Sequence, residues 1–297
     1  MSDELLRLKG RIRDLEQELT SKSAELQLYK SQLGIANHQL EKVISQMGQE
    51  LKMASQLQKH LNPIEIPPIS GFEFSTKFIS GYKSGGDYFD IFELQDRMKF
   101  AIIASSASGY SLSALFLSVL IKISASSEAK RSSEAHQTVQ SLLNELQPQM
   151  GADDKLSLFY GVVDKRSYEL SYCHVGNHQA YLQVMGSDTL ENLEACSPAV
   201  SKTSAPKLHS IKQALNPRDR FVLCTEGVWR AQGAEEQVWG AEKLRESIRE
   251  APRSGVHELR NEILYRVQKF TGQAEPERDQ TVIVTEVKDR VIKLAKG

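Results

Sequence analysis

From Leu5 onward the chain places an apolar residue at every seventh position: Leu5, Ile12, Leu19, Leu26, Leu33, Leu40, Met47 and Ala54. The companion positions three residues later are Leu8, Leu15, Lys22, Tyr29, Ala36, Val43, Glu50 and Leu57, and no proline intrudes before Pro63. A heptad repeat held this long keeps one stripe facing a partner only when two helices supercoil. Residues 1–60 are therefore expected to form a coiled-coil dimerisation helix. In a parallel dimer each g residue meets the e residue of the next heptad on the other chain. Those pairs are Glu4 with Lys9, Arg11 with Glu16 and Glu25 with Lys30, all of opposite sign. They favour a parallel homodimer, although each exposed pair adds only a few tenths of a kcal/mol. The alternative is a single helix packed on its own domain. Ile44, Leu51 and Met53 widen the stripe near its end, where the stalk is expected to meet the folded body.

Asn62-Pro63 and Pro67-Pro68 end the helix, because proline lacks the amide hydrogen and clashes with the preceding turn. Residues 61–70 read as a proline-rich linker. Short apolar or alternating runs then predict strands: FEFSTKFI, YFDIFEL, MKFAIIA, LSLFYGVVD, YELSYCHV, QAYLQVM, RFVLCTE and TVIVTEV. Helical patterns cover about 112–127, 133–146, 241–250 and 255–270. Hairpin-like strand pairs dominate, one of them turning at Asp164-Lys165-Arg166-Ser167, and the helices come in pairs. This order predicts an α+β domain over 71–290, a sandwich of mainly antiparallel sheets with helices outside. The stretch from Met185 to Asn216 has little periodicity and reads as loop.

Composition narrows the function. Lys and Arg number 37 against 38 Asp and Glu, a balance that favours neither nucleic acid nor an anionic membrane. The N-terminus is charged throughout, unlike a signal peptide, and the longest apolar stretch is too short to span a bilayer. The three cysteines, Cys173, Cys196 and Cys224, show no CxxC spacing. They predict buried free thiols in a reducing cytoplasm rather than disulfides or a zinc site.

Acidic residues and glycines meet at strand ends. Ser84-Gly85-Gly86-Asp87-Tyr88-Phe89-Asp90 begins one strand, and Ala104-Ser105-Ser106-Ala107-Ser108-Gly109 ends another and opens a helix. Thr225-Glu226-Gly227-Val228 ends a third, and Arg278-Asp279-Gln280-Thr281 begins the last. Together these resemble the SpoIIE/RsbU family of PPM-type serine/threonine phosphatases, with its GGDYYD, GDVSGHG, TDGV and DDxT motifs. The lead-in LQKHLNPIEIPPISGFEF, the segment LFYGVVDKRSYELSYCHVGNH and the segment RDRFVLCTEGVWRAQ also resemble the family. The likeness runs in order from about Leu57 to Val287. It implies two stacked antiparallel sheets flanked by helices.

The resemblance also implies chemistry. In that family four aspartates hold two divalent cations, manganese or magnesium, which activate a water against the phosphoester. Asp87 matches the first aspartate. Ser106 stands at the second, which bridges both metals; Glu226 stands at the third and Arg278 at the fourth. Serine is a poor ligand, Glu226 displaces its carboxylate by a methylene, and Arg278 reverses a charge that it cannot lose. Tyr110-Ser111 replaces the usual basic residue and glycine at the helix opening. No catalytic or metal site is therefore expected; Asp87, Glu226 and Asp279 are residual metal candidates. A slip placing Asp279 at the fourth position conflicts with strand alternation. Arg278 is expected to lie within hydrogen-bonding reach of Asp87 or Glu226, with Asp87 the favoured partner, and its removal should cost a few kcal/mol. Asp90 reads as strand surface and Gly176-Asn177-His178 as a turn. Ser105, Ser106 and Ser108 have no His and Asp at the spacing of a nucleophilic triad.

The reading that follows is a dimeric pseudophosphatase that binds phosphorylatable regulators of the STAS type or another partner-switching component. The alternatives are an active phosphatase with a non-standard site built on Asp87, Glu226, Asp279 and Asp90, and a structural coiled-coil protein with a globular cap. The dimer is testable by sedimentation: full-length protein at micromolar concentration is expected to run as a dimer, and protein lacking residues 1–60 as a smaller species. A full-length monomer would end the coiled-coil assignment.

Overall fold

The computed structural model describes residues 2–63, 65–82, 86–108, 111–128, 134–187, 189–234, 236–253 and 255–288. Ser84, Gly85, Gly109 and Tyr110, each part of a motif above, lie outside them. The chain divides into two compact units, residues 1–52 and 53–297. The first unit is helix alone: α1 runs without a break over Ser2–Leu61. Along it Leu5, Ile12, Leu19, Leu26, Leu33 and Leu40 are each 54–74% exposed, a long apolar stripe of the kind that marks an interaction surface.

The second unit is built from two five-stranded antiparallel sheets. One has the order β1-β10-β9-β6-β7, from β1 (Phe72–Ile79), β10 (Gln280–Val287), β9 (Arg220–Cys224), β6 (Gln179–Val184) and β7 (Thr189–Asn192). The other has the order β2-β3-β4-β5-β8, from β2 (Gly86–Glu93), β3 (Lys99–Ser108), β4 (Lys155–Asp164), β5 (Glu169–Val175) and β8 (Ile211–Ala214). Helices α2 (Ser111–Glu128) and α3 (Ala135–Leu146) cover one outer face, and α5 (Gly240–Glu250) and α6 (Val256–Thr271) the other; α4 (Glu226–Trp229) is a single turn after β9.

Alternation along the strands produces these layers. In β3, Phe100, Ile102 and Ala104 enter the core between the sheets, together with Phe89, Ile91, Phe159, Leu223 and Ile283. Their neighbours Ala101 and Ile103 face the other way and pack with Leu117 and Ile121 of α2 and Val139 and Leu142 of α3. Val222, Val282 and Val284 meet Leu244 and Ile248 of α5 and Leu259 and Ile263 of α6. Both faces of each central strand are thus buried, which is why these strands read as near-continuous apolar runs. The end of α1 is tied to this unit: Leu61 packs on the α2–α3 core, and Asn62 Oδ1 accepts from the Phe89 amide at 3.0 Å.

Two differences from the sequence reading have simple causes. The stretch from Met185 to Asn216 holds β7 and β8, four-residue strands too short to display a period. Cys196 is half-buried, not buried, while Cys173 and Cys224 are enclosed; all three are free. Among the described residues no helix is long and apolar enough to cross a membrane. Between the sheets, Phe100 is fully buried and meets Phe72 edge-on at 4.8 Å and Phe74 at 5.7 Å. Phe100→Ala is expected to destabilise the domain by about 3–5 kcal/mol, read as a lower midpoint in urea unfolding.

Candidate functional site

Strand ends from both sheets converge on one cavity of about 490 Å³. Asp87 of β2 and Ser106 of β3 are direct partners in the antiparallel register. From the other sheet, β9 runs through Thr225 into α4, which opens with Glu226, and β10 begins immediately after Arg278 and Asp279. Lys155 at the start of β4 and Asn177 between β5 and β6 complete the wall. Gly176 turns the chain there at φ +96°, where a Cβ would strike the Ser157 side chain, so the turn read from Gly176-Asn177-His178 needs its glycine.

The Asp87 carboxylate is buried and enclosed by donors. Ser106 Oγ donates to its Oδ1 at 2.5 Å, and Thr281 Oγ1 donates to its Oδ2 at 2.8 Å. Burial first, and the neighbouring Asp279 second, push Asp87 up to about 7 against the pull of the Ser106, Thr225 and Thr281 hydroxyls. Asp279 is buried too, its carboxylate accepting from the amides of Gly81 at 2.8 Å and Asp87 at 3.3 Å. Ser106 spends its only proton on Asp87, so its oxygen accepts from His178 Nε2, 3.1 Å away. That fixes the His178 tautomer and leaves Nδ1 buried with no hydrogen-bond partner among the described residues. His178 stacks on His174 with ring centres 6.0 Å apart. Burial lowers His174 to about 4, and burial together with His174 lowers His178 to about 3, so both rings are neutral near pH 7.

Glu226 gathers a separate set of partners. Arg230 Nη1 lies 2.8 Å from its Oε1, Asn177 Nδ2 donates to its Oε2 at 3.2 Å, and Arg278 Nη1 lies 3.6 Å from Oε1. The Arg278 side chain is 55% exposed, against 17% for Glu226. Of the two carboxylates expected beside Arg278, it is Glu226 at the rim that the guanidinium approaches; the favoured pair with Asp87 is not formed. Asp279, expected on the opposite face, instead lies against Asp87. Residues 277 and 278 form a bend and Asp279 is irregular before β10 begins at Gln280, so strand alternation does not govern them. A half-exposed ion pair contributes about 1 kcal/mol or less, which replaces the larger loss expected for Arg278→Ala.

Asp90 does not line the cavity. It accepts from Tyr88 Oη at 3.1 Å and from the Ile91 amide at 2.8 Å. Among the described residues no three His, Cys, Asp or Glu side chains are grouped so as to hold a metal ion. Sequence reasoning missed Lys155, Arg230 and His178 as members of the site, and named Thr281 only as part of the last motif. Arg230 carried a signal, four residues after Glu226 across a helical turn. His178 and Lys155 carried none, because they reach the site only through sheet pairing.

The family model described as Stage II sporulation protein E (SpoIIE) matches residues 96–288. The chain belongs to the SpoIIE family. The SiaA PP2C domain of Pseudomonas aeruginosa superimposes with a TM-score of 0.66 at 18% identity, covering 83% of this chain and 98% of that one. The RsbU and RsbW domains of a Mycobacterium tuberculosis protein give 0.62 at 17% identity, covering 75% of this chain and 62% of that one. A fragment of Bacillus subtilis SpoIIE containing the PP2C phosphatase domain gives 0.61 at 15% identity, with 73% and 63% covered. At these identities the structures share the fold, two antiparallel sheets between helical layers. No curated protein sequence matches the chain.

The buried histidines generate a pH prediction. Their folded pKa values lie below the unfolded value of about 6.5, so the stability they hold is complete above that pH and is lost as pH falls toward 4 and 3. Asp87, raised to about 7, acts in the opposite sense between about 4 and 7, so the diagnostic is a difference between proteins. His178→Gln keeps a donor for Ser106 and cannot titrate. Its stability relative to the unsubstituted protein is expected to improve below pH 6.5, by up to about 1.4 kcal/mol per pH unit. Urea unfolding at pH 7.5, 6 and 5 reads it; a constant difference would mean that His178 is not held neutral.

Proposed function

We propose that this SpoIIE-family chain is a dimeric signalling pseudophosphatase, which binds phosphorylated regulators of a partner-switching pathway without hydrolysing them. One observation carries the reading: the position of the metal-bridging aspartate is Ser106, whose hydroxyl is already bonded to Asp87. The residues present do not fit two divalent cations. Both Asp87 oxygens accept hydroxyl protons, and Glu226 is engaged by Arg230, Asn177 and Arg278. An ion would have to displace these donors and sit beside permanent guanidinium charges; at about 4 Å that repulsion is on the order of 4 kcal/mol per unit charge at an effective dielectric of about 20. Regulators of the STAS (anti-anti-sigma) type are proposed as partners by analogy with the family, and the exposed heptad stripe of α1 supports a parallel homodimer.

A second reading, an active phosphatase with an altered site, draws on the adjacent buried carboxylates of Asp87 and Asp279. Hydrolysis separates the two. Purified full-length protein is expected to release no phosphate above background from p-nitrophenyl phosphate or a phosphoserine STAS protein in millimolar manganese. Manganese-dependent turnover that disappears in Asp87→Asn would establish the second reading in place of the first.

A further inference from the structure

We infer that the rim of this cavity is a metal-independent receptor for a phosphoryl group on a partner protein, held by Lys155, Arg230 and Arg278. The inference rests on the non-hydrolytic reading above and specifies what that domain grips. Among the described residues three cationic side chains line the cavity, and the acid shared at the rim is Glu226, which both Arg230 and Arg278 approach, at 2.8 and 3.6 Å. Lys155 makes no ion pair among the described residues. Asp87 and Asp279 also line the cavity but are buried and held by their own donors, so among the described residues the exposed side of the wall carries an excess of positive charge, suited to the nearly doubly negative phosphomonoester.

The donor chemistry points the same way. Each guanidinium carries five N–H donors in a planar fork suited to a tetrahedral oxyanion. The ion pair with Glu226 at 2.8 Å occupies little of that capacity on Arg230, and the 3.6 Å contact of Arg278 lies beyond hydrogen-bond length. Arg230 is also braced, its guanidinium lying 4.7 Å over the Trp229 ring, so less freedom is lost when it binds. The Arg230 and Arg278 side chains are 47% and 55% exposed, open to a protein ligand approaching from solvent. Beneath them Asp87 and Asp279 are buried and hold their own donors. These floor carboxylates repel an anion that goes deeper, so the phosphoryl group stands at the rim.

The test is calorimetry on full-length protein in EDTA and low salt, with a short phosphoserine peptide, its serine and glutamate counterparts, and inorganic phosphate. The phosphoserine peptide is expected to bind at least about tenfold more tightly than either counterpart, more weakly as salt rises, and unchanged by EDTA. Lys155→Ala, an exposed site with no ion pair to lose, is expected to weaken binding about tenfold with an unaltered melting temperature, and Arg278→Ala at least as much. Free phosphate binding as tightly as the peptide would keep the site and assign it to the free ion. Equal binding of the three peptides, no binding at millimolar concentration, binding that requires a divalent cation, or indifference to both substitutions would overturn the inference. Failure of binding without hydrolysis removes only this inference; manganese-dependent release of phosphate from the peptide removes the non-hydrolytic reading itself.

Discussion

A carboxylate buried between two sheets has to find donors, and the Asp87 clasp is where this fold meets that demand. Asp87 belongs to β2 of one sheet; Ser106 reaches it from the neighbouring strand, and Thr281 reaches it from β10 of the other sheet. A buried acid left without such bonds would cost several kcal/mol. The clasp therefore pins the ends of the two sheets at the point where the cavity opens. Asp279 adds to it by holding the amides of Gly81 and Asp87, so backbone from the β1–β2 connection is fixed by the same cluster.

This arrangement separates two electrostatic zones a few ångströms apart. The floor is acidic, enclosed and satisfied by neutral hydroxyls and amides. The rim is cationic and half-exposed, with Glu226 as the shared counter-ion of two arginines. In a relative with four aspartates, clustered carboxylates repel one another until cations neutralise them. On the proposed reading, hydroxyl donors stand in for the cations at the floor and guanidinium groups at the rim. Each described acid of the cavity, Asp87, Asp279 and Glu226, has an internal partner.

Much of the fold is legible in the sequence. The eight long strands follow alternating or apolar runs, and FEFSTKFI coincides with β1. The four main helices fall where their periodicity places them. The placing of Asp87, Ser106, Glu226 and Arg278 at motif positions came from the resemblance to the SpoIIE/RsbU family. What escapes are features without a period: the four-residue strands β7 and β8, the single turn α4, and the bend before β10.

The chain's heptads and the succession of strands and helices were determined by the sequence itself, because each rests on local periodicity. Who bonds with whom was decided only by the tertiary structure. Residues 278 and 279 lie in irregular backbone, where no repeat dictates direction, and the packing of two sheets turned Asp279 inward and Arg278 to the rim. His178 and Ser106, 72 residues apart, meet because strand pairing carries them to one place. Long-range contacts of this kind follow from how the strand ends converge, which the order of residues along one chain does not display.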